Sequence, residues 1–121
     1  ALCFLIRDET GALGGAIRYW PVSIAQQPAL LLGPVAVHPT RQGEGLGGFL
    51  IRESLKIAQD MGHQRVMLIG DAPYYERFGF VKLQNVHMPP PTNPNRILGV
   101  SLSQNAWNKI SGPVKKPGFT R

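Results

Sequence analysis

Cysteine is almost absent. Cys3 is the one thiol among 121 residues, so an internal disulfide is excluded and no cysteine cluster can hold a metal. A chain of this kind is expected in a reducing compartment, the cytoplasm. Apolar runs long enough to cross a membrane, about 18 residues, are missing, as is a basic-then-apolar leader. Membrane-spanning and disulfide-scaffold classes are therefore not expected. A start at Ala1 rather than Met is expected of a processed or trimmed chain. Acidic residues are also missing from a whole region. Residues 82–121 hold Lys82, Arg96, Lys109, Lys115, Lys116 and Arg121 but no Asp or Glu, while residues 1–81 balance seven basic groups against seven acidic ones. The net charge of +6 thus resides in the last third. A basic end can steer anions or nucleic acid. Here aromatics and arginines are not interleaved, so a solvated, solubilising end is expected and nucleic acid is not expected as a partner.

What is present suits one packed domain spanning 1–121. Hydrophobic residues make up 43% of the chain, enough for a core and too many for disorder over most of its length. Residues 1–7 form an apolar, β-prone run closed by Asp8-Glu9-Thr10-Gly11, and 12–20 read as the returning strand of a hairpin. Gly14 and Gly15 leave room there for a close neighbour. A polar link, Gln26-Gln27-Pro28, precedes a buried strand from Ala29 to Val37. Gly33-Pro34 interrupts that strand, because proline cannot donate to a ladder; a bulge or an end to pairing is predicted. Leu46, Phe49, Leu50, Ile57 and Met61 then follow a helical period, and Gly62 is the predicted stop. Arg65–Ile69 reads as a buried strand, so 29–69 form a strand–helix–strand unit with parallel strands. Asp71 is placed to cap a short helix ending at Gly79. Phe80–Leu83 and Ile97–Leu102 read as strands, 89–95 as a proline-rich loop and 103–121 as a polar basic tail. The class is mixed α/β (α+β), with strands outnumbering helices.

Gln42-Gly43-Glu44-Gly45-Leu46-Gly47 lies at a strand-to-helix junction. Backbone amides without side chains can approach a ligand closely there, and an open helix start favours phosphate. The loop could equally be a turn and nothing more. A P-loop is excluded, since no Lys followed by Ser or Thr succeeds the glycines. Gly43, Gly45 and Gly48 do satisfy the dinucleotide pattern G-x-G-x-x-G. That fingerprint should follow its strand at once, however, and His38 to Gln42 intervene. Asp71 also comes later than the roughly 20 residues expected of the ribose acid.

Three pieces together are similar to the GNAT superfamily, the acetyl-CoA-dependent N-acetyltransferases. They are Leu32-Gly33-Pro34-Val35-Ala36-Val37-His38-Pro39, the glycine turn through Gln42, Gly45 and Gly47, and Tyr74-Tyr75-Glu76-Arg77-Phe78-Gly79-Phe80. The resemblance covers residues 32–80, the expected acetyl-CoA core. It implies a mostly antiparallel sheet with splayed central parallel strands and flanking helices. The family's first strand and helices would precede Ala1. It also implies that Val35, Ala36 and Val37 meet the pantetheine arm, and that Gln42, Gly43, Glu44, Gly45, Leu46 and Gly47 hold the diphosphate. Tyr75 would be the general acid. The implied reaction is direct transfer of acetyl from acetyl-CoA to a small-molecule or peptide amine, with no metal; a homodimer is compatible with it. No base emerges, because 29–38 hold no Asp or Glu and His38 suits an ordinary turn. Two alternatives stay open: a non-catalytic acyl-CoA-binding sensor and a dinucleotide-binding oxidoreductase.

Overall fold

The computed structural model describes residues 2–7, 11, 13–37, 45–89 and 91–115. Its chain order is β1 (Leu2–Arg7), β2 (Leu13–Ile24), β3 (Gln27–Val37), α1 (Leu46–Asp60), β4 (Arg65–Ile69) and α2 (Ala72–Tyr75). There follow a 3₁₀ turn (Glu76–Phe78), β5 (Val81–Lys82), β6 (Val86–His87), a second 3₁₀ turn (Pro94–Arg96), β7 (Ile97–Ser101) and β8 (Gly112–Lys115). One eight-stranded sheet carries them in the order β5-β7-β4-β3-β2-β8-β6, with β1 also paired to β2. Neighbours are antiparallel except β3 with β4 and β6 with β8. This is the mixed, mostly antiparallel architecture expected. Among the described residues no helix is long and apolar enough to cross a membrane.

Alternation builds the β1–β2–β3 meander. Phe4 and Ile6 point to the α1 side while Cys3, Leu5 and Arg7 are exposed. Two residues of the predicted link at 26–28, Gln27 and Pro28, prove to be part of the sheet. β2 runs on through Pro21–Ile24, and β3 begins at Gln27 opposite it. Only Ala25 and Gln26 turn the chain, both at positive φ. A two-residue turn of that hand matches the twist of its strands, which the residue types did not advertise.

Helix α1 lies across the sheet on a different face from the one its large apolar residues suggest. Leu50, Ile51, Ser54, Leu55 and Ala58 are buried, whereas Phe49, Ile57 and Met61 are exposed. The buried stripe follows i, i+1, i+4, i+5, i+8, and it includes a serine and an alanine because the helix approaches the sheet closely. A Cβ on Gly15 would stand 2.9 Å from the Leu50 methyl and 3.1 Å from the Ala36 carbonyl oxygen. Gly14 meets Leu46 in the same way, at 3.3 Å. The glycine pair does make room for a neighbour, and that neighbour is α1. Burying Leu50, Ile51 and Leu55 contributes about 1.5–3 kcal/mol each.

The opposite face of the sheet is covered largely by residues read above as tail, joined by Leu83 and Val86. Val86, Leu83, Trp107, Ile110 and Val114 close over Val22, Ile24, Ala29, Met67 and Ile97. Residues 103–115 are thus folded onto the sheet, with Lys115 opposite Ser23 and Val114 opposite Ile24. β5 and β7 are shorter than expected, at Val81–Lys82 and Ile97–Ser101.

One polar pair crosses the α1 core. The Ser54 hydroxyl donates to the Ile51 carbonyl, so its oxygen is free to accept from Tyr19, 2.6 Å away. Burial pushes the Tyr19 phenol from 10.0 up to about 12, while the Ser54 hydroxyl, which can turn to donate to a phenolate, pulls less strongly the other way. The folded state therefore favours the neutral phenol. That contribution is fully present below pH 10.0 and is lost as pH rises through about 12. In urea denaturation, Tyr19→Phe is expected to remove about 2–3 kcal/mol of the alkaline loss of stability over that interval. An unchanged alkaline slope would refute the assignment.

Candidate functional site

The site begins where β3 and β4 part. They pair in parallel at Leu30 with Val66 and at Leu31 with Met67, and no further partners follow. Yet β3 continues to Val37 and β4 to Ile69. Each is held on its outer side: β3 by β2, through Val35 with Ile17 and Val37 with Gly15, and β4 by β7, through Ile69 with Ile97. The interruption at Gly33-Pro34 is a bulge, as predicted, with these two residues standing opposite Arg18 alone. Trp20 Nε1 donates to the Gly33 carbonyl at 2.8 Å, and the Arg18 guanidinium lies 5.3 Å over the Trp20 ring. The inner edges of both strands are left as a cleft that opens toward their C-terminal ends. Val35 and Ala36 lie on its β3 wall, and Val37 continues that strand.

Helix α1 starts at the same end. Gly45 holds its N-cap position at φ 73, a left-handed conformation that glycine adopts without the Cβ penalty. No side chain caps this terminus and its first turn carries no acid. The first intrahelical bond runs from Phe49 N–H to the Gly45 carbonyl. The amides of Leu46, Gly47 and Gly48 precede that bond, so they have no partner within the helix and none among the described residues. Among the described residues, apart from its chain neighbours, no atom lies within 4 Å of a Cβ built on Gly45. Gln42, Gly43 and Glu44, expected at the same turn, lie outside the described residues.

Across the mouth stands the aromatic segment. Asp71 caps α2 as expected, its carboxylate accepting from Tyr74 N–H at 3.3 Å. Tyr75 is half-buried, packed edge-on against Tyr74 at 4.9 Å and Phe80 at 5.9 Å. Its ring lies on Gly70, where a Cβ would come within 2.6 Å of Tyr75 Cε2. Gly70 in turn donates its N–H to the Arg96 carbonyl. Burial raises the Tyr75 phenol above its ordinary value. Tyr74 and Asp71 act in the same sense, and Arg96 opposes them. The two sequence motifs meet through Phe78, whose Cζ lies 3.6 Å from the Cβ position of Gly48. Arg52 stacks 5.6 Å over the Phe78 ring, placing a cation beside the first turn of α1.

Gly70, Trp20 and Arg96 were not found from sequence. Gly70 had a faint signal as a glycine at a strand end. Trp20 and Arg96 had none, since each matters through a contact made only in the folded chain.

A family model described as the acetyltransferase (GNAT) domain matches residues 1–82. The chain belongs to this family. It is 32% identical over 112 residues to the uncharacterized N-acetyltransferase YhbS of Escherichia coli K12, covering 89% of this chain and 67% of that one. It is 48% identical over 50 residues to the uncharacterized N-acetyltransferase YjhQ of the same organism, covering 41% of this chain but 28% of that one. Among solved structures, YhbS in complex with CoA superposes with a TM-score of 0.89 at 25% identity, over 96% of this chain and 67% of that one. A GNAT family acetyltransferase from Brucella melitensis in complex with acetyl-CoA gives 0.76 at 31% identity, over 98% and 67%.

The seat of Tyr75 can be tested without a ligand. Gly70→Ala forces the ring and Leu68 aside, and should cost about 1–3 kcal/mol by overpacking. In a Tyr75→Ala background the same change should cost less than half as much, a coupling read from a double-mutant cycle of urea midpoints. Additive costs would mean that the ring does not rest on Gly70.

Proposed function

We propose that this chain transfers an acetyl group from acetyl-CoA to a primary amine by direct attack. The observation that carries the proposal is the unpaired cleft between β3 and β4, opening beside an uncapped helix start. Backbone that lacks a partner inside a sheet requires one, and an extended amide chain can supply it as a further strand would. CoA and acetyl-CoA are bound by the family members from E. coli and B. melitensis noted above, which supports the same ligand class here.

The residues fit such a ligand. Val35 and Val37 would offer their inner-edge amides and carbonyls to the pantetheine, with Ala36 between them, its carbonyl turned toward β2. The free N–H groups at the start of α1, with Gly45 leaving space, would hold the diphosphate. When bound, acetyl-CoA supplies an activated acyl thioester. The walls of the cleft orient it and limit water, which converts a bimolecular attack into a local one. Tyr75, like any phenol, holds its proton on Oη through the neutral range, and burial raises its pKa further. That proton is available to the sulfur as the thiolate leaves. The acceptor class, a small-molecule or peptide amine, is part of this proposal.

Two variants separate the parts. Gly45→Glu adds a side chain at positive φ and a negative charge in the anion-holding space, so calorimetry should show CoA affinity lowered at least tenfold with the fold intact. Wild-type affinity would refute the cofactor site. Tyr75→Phe removes one hydroxyl from a ring whose packing persists. CoA binding should survive, while kcat falls about 10²–10⁴-fold in thiol release with a competent amine. Tyr74→Phe should be mild. Full turnover in Tyr75→Phe would remove Tyr75 from the chemistry. CoA binding with no thiol release on any amine would mark a binding module instead.

A further inference from the structure

At the far end of the sheet from the cleft, a polar crevice of about 400 Å³ lies between the β2–β3 turn, the start of β4 and the 103–110 segment. Arg65 forms its floor. It is only 4% exposed and is the buried charged residue of the described chain. Its Nε donates to the Ala106 carbonyl at 2.7 Å, one Nη to the Pro28 carbonyl and the other to Gln64 Oε1 at 2.8 Å. A guanidinium has five N–H groups. Among the described residues these three bonds leave one N–H on each terminal nitrogen without an acceptor.

The carbonyls and the amide orient the cation, but they do not neutralise it. Among the described residues no carboxylate forms an ion pair with Arg65, and burial pulls its pKa below the ordinary value. An unneutralised buried cation is costly, and nature usually pairs it. The lining of the crevice includes a second cation, Lys109, and the amide residues Gln27, Gln64, Asn105 and Asn108, but among the described residues no Asp or Glu. Two cations, several amide donors and no acid make a lining matched to an anion.

We propose that this crevice binds a small oxyanion, a carboxylate or a phosphate monoester, at Arg65 and Lys109. The guanidinium supplies charge-assisted N–H bonds to its oxygens, which are stronger than neutral ones. Lys109 adds charge at the rim, and the amides complete the shell. The site is separate from the acetyl-transfer cleft. Five residues of β4 at about 3.3 Å each place Arg65 roughly 16 Å from Gly70, so the anion acts as a stabilising or regulatory ligand and does not reach the thioester.

The test is thermal unfolding of the CoA-saturated protein, titrated with inorganic phosphate or with succinate, against chloride at equal ionic strength. A saturable rise in Tm is expected with at least one of them, half-complete at or below about 10 mM, as ligand binding to the native state requires. A rise with phosphate alone identifies a phosphate monoester as the ligand class, and one with succinate alone a carboxylate. Arg65→Gln removes a buried staple and lowers the starting Tm, so the deciding variant is the exposed Lys109→Glu. It should raise the half-saturating concentration at least tenfold, whereas Lys115→Ala, outside the crevice, should leave it unchanged. Three results would overturn the proposal. They are no rise beyond chloride, a rise identical in Lys109→Glu, and a rise that Lys115→Ala weakens equally. Phosphate binding at the glycine turn alone gives the second of these, so it is not mistaken for the crevice.

Discussion

The loss of pairing between β3 and β4 after Leu31 is the constraint on which the functional end depends. Two parallel strands that begin side by side would ordinarily stay paired, since each buried amide and carbonyl needs a partner. Here the outer neighbours hold them apart. β2 keeps Val35 to Val37 in its ladder, and β7 keeps Leu68 and Ile69 in its own. The bulge at Gly33-Pro34 lets β3 change course without leaving β2, and Trp20 fixes the Gly33 carbonyl from outside. Proline contributes no N–H at the point of divergence. What results is a gap with polar walls inside an otherwise continuous sheet. Such a gap is suited to a ligand that can hydrogen-bond like a strand.

A cleft alone would leave its mouth loose, and two close approaches set it. On one side, Gly14 and Gly15 admit Leu46 and Leu50, which brings the start of α1 down onto β2. The Tyr19–Ser54 bond then fixes the rotation of the helix about its axis. On the other side, Gly70 admits the Tyr75 ring against the end of β4. Phe78 joins the two halves at Gly48. Glycine therefore acts mainly through what it lets approach, and the free N–H groups and the phenol inherit their positions from those contacts.

This division explains how much could be read from the chain. Features written in adjacent residues were legible: the Gly33-Pro34 interruption, the glycine turn at a strand-to-helix junction, and Asp71 as a cap. Features that depend on a remote partner were not. Periodicity chose Phe49, Ile57 and Met61 for the buried face of α1, because it weighs side-chain size. The sheet instead selected Ser54 and Ala58, the residues small enough for close packing. Strand β8 contains a glycine and a proline within four residues, and its pairing with Ser23 and Ile24 is what makes it a strand. Tyr75 was visible through its motif, but Gly70 beneath it and Arg96 beside it became visible only when the sheet brought them together.

The folding of residues 103–115 also changes what the charge asymmetry means. A free basic tail would give one mobile cationic cloud. Instead, residues 103–115 fold onto the sheet, and the described cations of this third stand at opposite ends. Arg96 borders Gly70 at the cleft, whereas Lys109 lines the crevice and Lys115 pairs beside the β2–β3 turn. The ends are separated by roughly 16 Å along β4, about twice the Debye length of about 8 Å at physiological salt. Charges at one end are thus largely screened from a ligand at the other. The chain is neutral over its first 81 residues and carries +6 overall, but at such a separation each end has its own local field. Each is set by the few side chains at its own end, and neither by the net charge.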